Sequence, residues 1–150
     1  MTRPGAVGDA RRVHRRTRLL VVLERIAWLT GVLAAIGVLG TGLDKNFYFE
    51  NTAEALREAA VGVRMIWWSS IALVALAVHA AQRGAPAWCW ALVLSAPVVC
   101  GGLMATWSES LFPQLAFLVV GPLAGLAALA GVLVRWRSTS PRGPASRPAW

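Results

Sequence analysis

Charge is scarce in this chain, and lysine almost absent. Charged residues make up 15% of its 150 positions, Lys45 is the single lysine among fifteen basic residues, and only seven acids oppose them. A soluble globular domain carries about 25% charged residues, so the deficit argues against a water-facing surface over most of the chain. Cysteine is limited to Cys89 and Cys100, which excludes a scaffold built on disulfides. Eleven residues apart in one apolar run, they would lie about 16 Å apart along a helix. A disulfide needs Cα atoms within about 7 Å, so both read as small apolar filler. Histidine occurs twice, at His14 and His79, and tyrosine once, at Tyr48. Motifs for hydrolases, kinases, phosphate loops and dinucleotide binding are missing, as is any metal-ligand spacing. No catalytic residue, cofactor or metal is therefore expected, and no enzyme.

What is abundant is apolar. Hydrophobic residues reach 57% and the mean hydropathy is +0.56. Four runs carry this excess, at about residues 19–43 (uncharged only from Ile26 to Leu43, with Leu19–Leu23 leading in across Glu24 and Arg25), 65–81, 85–104 and 115–134. About 20 helical residues cross a hydrocarbon core roughly 30 Å thick. The third and fourth runs meet that length without a charged side chain. The first two are slightly short, and Arg25 and Arg64 at their flanks can extend to the interface. Lipid offers the backbone no hydrogen-bond partner, and none of the runs alternates polar with apolar residues, so helices rather than strands are predicted.

Arginine sets the expected threading. Arg3, Arg11, Arg12, Arg15, Arg16 and Arg18 precede the first run, Arg83 lies between the second and third, and Arg135, Arg137, Arg142 and Arg147 follow the fourth. The link after the third run has no base and one acid, Glu109; the link after the first holds Asp44, Glu50, Glu54 and Glu58 against Lys45, Arg57 and Arg64. The positive-inside rule then places both termini and the Arg83 turn in the cytoplasm. Aromatic residues fall at both expected interfaces, with Trp28, Trp88, Trp90 and Trp136 inside and Trp67, Trp68, Trp107 and Phe112 outside, and Phe47, Tyr48 and Phe49 just beyond the first run. A cleaved signal peptide ending near Gly40-Thr41-Gly42 is the competing reading, but its apolar core would exceed the usual 7–15 residues. Arg11-Arg12 and Arg15-Arg16 invite a twin-arginine reading, which Arg18 disfavours by standing where an apolar residue is wanted. The fold expected is an all-α membrane protein, a four-helix transmembrane bundle spanning residues 19–137. Basic disordered cytoplasmic tails are expected at 1–18 and 138–150. Arginine in place of lysine, with abundant alanine, suggests a GC-rich bacterial genome and hence a multi-pass protein of the bacterial plasma membrane.

Between the first two runs, Asn51 and Glu54 have the spacing of a capping box opening a helix over about 52–64. Leu56, Ala60, Val63 and Trp67 give it one apolar face. It would lie on the outer surface or continue into the second run, with Gly62 as a bend. Pro97 and Pro122 should bend the third and fourth helices. Small residues recur every fourth position at Ala27, Gly31 and Ala35, at Ala87, Ala91 and Ser95, and at Gly121 and Gly125. Such rows let helix backbones approach and associate.

Ionisable and polar groups near or within the runs are few, and Glu24, His79, Ser69 and Ser70 are the candidates among them to line a path. The lone glutamate in a first helix resembles that of the small multidrug transporters of four helices, which would imply a transport carboxylate. Glu24 departs from that pattern by lying at the membrane edge rather than mid-helix, and no acid, base or nucleophile is expected to meet another at one depth. The reading favoured is a non-catalytic accessory or scaffolding subunit packed against other membrane helices, by partner or self-association. The alternative is a small homo-oligomeric transporter or channel using Glu24, His79, Ser69 or Ser70. The basic tails would rest on anionic lipid headgroups. Nucleic acid is not expected, since no aromatic-interleaved platform accompanies the charge.

Overall fold

A computed structural model describes residues 6–46, 52–106 and 111–138, with side chains described from Leu19 to Val134. Four helices account for nearly all of it: α1 (Ala6–Lys45), α2 (Ala53–Gln82), α3 (Ala87–Thr106) and α4 (Phe112–Ser138). Each contains a stretch long and apolar enough to cross a membrane, Leu19–Lys45, Ala53–Gln82, Ala87–Thr106 and Phe112–Val134. Along the chain each helix lies beside the next, and α1 also packs on α4, so the four close into a ring. Short links between consecutive helices make antiparallel neighbours the natural arrangement.

The core is narrow and mostly apolar. Val32, Leu39, Leu73, Val93, Ala96, Cys100, Ala124 and Ala128 are wholly buried. The outward faces are just as apolar: Trp67, Trp68, Leu118 and Leu126 are each more than 60% exposed. No more than 28% of any helix's most apolar window is buried inside the bundle. A water-soluble bundle shows one apolar stripe facing the core; here the greasy surface runs all round, as a lipid-facing exterior requires.

Three ends deviate from the sequence expectation. The predicted disordered tail before residue 19 is instead helical backbone from Ala6, continuous with the apolar part of α1. Alanine, arginine and leucine are good helix formers, and extending a helix already nucleated costs far less than starting one. Secondly, the expected outer-loop helix is not separate: α2 runs unbroken through Gly62 to Gln82. Its N-cap is Thr52, whose Oγ1 accepts a hydrogen bond from Ala55 N–H at 3.2 Å. The capping box read from Asn51 is thus displaced by one residue, and Asn51 itself lies outside the described residues. Thirdly, α3 starts at Ala87 rather than Ala85, because Ala85 belongs to the turn.

That turn is a Schellman motif. Gly84 N–H donates to Ala81 O and Ala85 N–H to Ala80 O, both at 2.9 Å. Gly84 has φ 69°, a left-handed conformation that glycine adopts without Cβ strain. Pro86 follows, where it stops one helix and opens the next. α3 and α4 each continue as helix through Pro97 and Pro122.

At the opposite end, α1 and α2 cross at two glycines. A Cβ on Gly62 would stand 2.7 Å from Gly42 O, and one on Gly42 would stand 3.0 Å from Gly62 O. A Cβ on Gly62 would force the backbones apart and one on Gly42 would be tight against the same contact, so Gly62 marks a close helix crossing rather than a bend. Nearby, Gln114 Nε2 donates to Leu43 O at 3.2 Å, and Asn46 Nδ2 lies 3.7 Å from Met104 Sδ. The first of these satisfies one of the orphan carbonyls at the end of α1. The tail beyond Ser138, together with Phe47, Tyr48, Phe49 and Trp107, lies outside the described residues.

Candidate functional site

The inward-facing residues decide which small-residue rows are used inside the bundle. On α1, Ala35 is buried and a Cβ on Gly31 would meet Leu76 at 3.5 Å, an ordinary packing distance, while Ala27 is exposed. On α3, Ala87 and Ala91 are exposed and Ser95 half-buried, and the buried face is Cys89, Val93, Ala96 and Cys100. On α4, Gly121 is buried beside Phe117 of its own helix, and a Cβ on Gly125 would meet Leu33 at 3.5 Å. Ser69 is buried, but its hydroxyl donates to Met65 O at 2.7 Å and Ile66 O at 3.1 Å. With its proton directed at its own helix, it offers little to a solute. Ser70 is half-buried on the neighbouring face.

The polar residues of α1 and α2 meet at one end of the bundle. Glu24 Oε1 lies 2.7 Å from an Arg83 guanidinium nitrogen and 3.2 Å from His79 Nε2. This corrects the expectation that no acid and base converge at one depth: residues 55 apart in sequence come within hydrogen-bond reach. Helical periodicity places His79 and Arg83 one turn apart on the same face of α2, and the antiparallel pairing brings Glu24 level with them. The Glu24 side chain is 35% exposed and that of Arg83 59%, so the pair borders the surface. Arg83 was legible only as a topology marker. Its role as partner could have been found by matching depths on adjacent antiparallel helices.

These groups line a partly open cavity of about 150 Å³. Every helix contributes: Glu24, Arg25 and Trp28 from α1, His79 and Arg83 from α2, Cys89 from α3, and Gly131 and Val132 from α4. Trp28 is packed here, with Nε1–H donated to Leu76 O at 2.9 Å, rather than standing free at an interface. That bond fixes the indole as one wall. Cys89 is buried, and its Sγ–H donates to Ala127 O at 3.5 Å. A Cβ on Gly131 would overlap the Cys89 sulfur, so the glycine makes room for the thiol that forms the floor. Among the described residues no three His, Cys, Asp or Glu side chains gather as a metal site.

Chemically the cavity joins an apolar floor to a charged rim. Glu24 is engaged by Arg83 and His79, while Arg25 has no ion-pair or hydrogen-bond partner among the described residues. Compared with known protein families, with characterised proteins and with solved structures, the chain matches none.

Proposed function

We propose that this chain is a multi-pass protein of a bacterial plasma membrane, with both termini cytoplasmic. In this reading it serves as a non-catalytic accessory or scaffolding subunit that packs against other membrane helices. The observation that carries it is the apolar interior: Val32 and Leu39 on α1, with Leu73, Val93, Ala96 and Ala128 from the other helices, are wholly buried apolar side chains. A solute path through one copy would need polar groups at mid-depth, and the polar cluster stops at one end. Exposed small residues such as Ala27, Ala87 and Ala91 leave places where another helix can approach closely. The Arg-rich flanks support the orientation.

The Glu24–His79 contact favours one second reading, a homo-oligomeric transporter or channel in which the cavity is an entrance. Two measurements separate them. A scaffold co-purifies at fixed stoichiometry with a different membrane protein after gentle detergent extraction, and Glu24→Gln leaves that complex intact. Solute flux by the chain reconstituted alone in liposomes, abolished by Glu24→Gln, would overturn the scaffold reading. A reporter fused after Trp150 that is active only outside the cell would overturn the orientation.

A further inference from the structure

We propose that the cavity at the Glu24–Arg83 end is a binding site for one anionic phospholipid, held at its phosphodiester by Arg25 and the free donors of Arg83. The inference rests on membrane insertion but not on the choice between scaffold and transporter.

Position comes first. The lining residues lie at the limits of all four apolar spans: Val21 and Arg25 near Leu19, Arg83 and Ala85 just past Gln82, Cys89 just after Ala87, and Val132 near Val134. In an inserted bundle this is the depth of lipid headgroups rather than of bulk water or mid-bilayer. Basic pockets between membrane helices at that depth suit phosphate-bearing headgroups.

Charge comes second. The rim holds two guanidinium groups and one carboxylate, so it is positive before His79 is counted. Glu24 occupies one nitrogen of Arg83, which leaves that guanidinium further N–H donors. Arg25 has no partner for its donors among the described residues, and a planar fork of this kind matches a phosphate geometrically. Trp28 is spent on Leu76 O and serves as an apolar wall.

Shape comes third. Below the rim, Ala80, Cys89, Gly131 and Val132 line the cavity with apolar surface, and Val21, which also lines it, is exposed on the outer flank. A free inorganic anion would gain nothing from that floor, whereas the glycerol and first acyl carbons of a lipid would cover it.

The experiment is native mass spectrometry of the full chain in detergent micelles doped with phosphatidylglycerol, with phosphatidylcholine as the neutral control. One phosphatidylglycerol should be retained in preference to phosphatidylcholine. Arg25→Gln should weaken it about fivefold, the worth of one interfacial base, and Arg25→Lys should restore only part of the loss, since it returns the charge without the planar fork. Glu24→Gln should tighten it, because the variant frees Arg83 from its carboxylate. Replacing Arg11, Arg12, Arg15 and Arg16 with glutamine should leave the single retained lipid in place. The proposal is overturned if Arg25→Gln or Glu24→Gln binds phosphatidylglycerol as the parent does, or if phosphatidylcholine is retained equally. Displacement by equimolar inorganic phosphate would also overturn it, showing a free-anion site. Absence of the chain from the membrane fraction would refute insertion itself, a separate failure.

Discussion

Replacing Gly62 with alanine puts the α1–α2 crossing under direct stress. In an unconstrained helix the change is favourable by up to about 1 kcal/mol, because alanine loses less backbone freedom. At Gly62 the new Cβ would lie 2.7 Å from Gly42 O, 3.0 Å from Asn46 N and 3.1 Å from Lys45 Cβ. Two of those three atoms belong to backbone and cannot rotate away. The helices must therefore separate, loosening Leu43 and Ile66, both buried nearby. Overpacking of this kind costs about 1–3 kcal/mol, and a backbone obstacle puts it at the upper end. The expected net loss is about 2 kcal/mol after the propensity gain, or roughly 4–8 °C in Tm for a chain of this size. Gly37 supplies the control, since a Cβ there meets nothing within 4 Å. Gly37→Ala should hold or raise the melting temperature. Both variants can be followed in mild detergent by the fraction eluting as a monodisperse species after heating. A Gly62→Ala protein that melts at or above the parent, or a Gly37→Ala protein that falls as far, would refute the crossing as described.

Other perturbations follow from the same packing. Gly131→Ala should destabilise the bundle by forcing Cys89 out of its place, and adding Cys89→Ala should recover much of the loss, a coupling that a double-mutant cycle measures. Leu73→Ala should cost about 2 kcal/mol, the low end for a buried leucine, because lipid removes most of the transfer term and leaves the lost packing; thermal unfolding in detergent reads it. Glu24→Gln should cost less than about 1 kcal/mol, since the pair with Arg83 is partly exposed and such pairs contribute little. Cys89 and Cys100 are both buried, so a maleimide should label neither in the folded protein and both in SDS, as counted by mass.

The apolar spans were legible because lipid-compatible helices must be long and uniformly greasy, a property that no distant contact can hide. The bounds were less so. Helix α2 absorbed its supposed outer helix because nothing between Thr52 and Met65 breaks a helix strongly enough to outweigh continued hydrogen bonding. Gly42 and Gly62 looked like a processing site and a bend; their meaning lies in a crossing between two helices, which one helix's periodicity does not encode. The α3 row Ala87, Ala91 and Ser95 does not coincide with the face buried inside the bundle, Cys89, Val93, Ala96 and Cys100, since α3 is apolar all round and spacing alone does not say which face turns inward. Glu24 and His79 were recognisable as unusual singly. Their meeting required knowing that α1 and α2 run antiparallel in register, and Arg83 joined them for the same reason.

The 30 residues of α2 make a rod about 45 Å long, held against its neighbour by a glycine contact about a third of the way along. A stiff arm with an off-centre fulcrum amplifies angle into travel at its longer end. About 30 Å of helix separate Gly62 from Arg83, so each degree of tilt at the crossing sweeps the guanidinium through roughly half an ångström. A few degrees would be enough to part Arg83 from Glu24, and whatever grips either tip of the rod is mechanically in touch with the other.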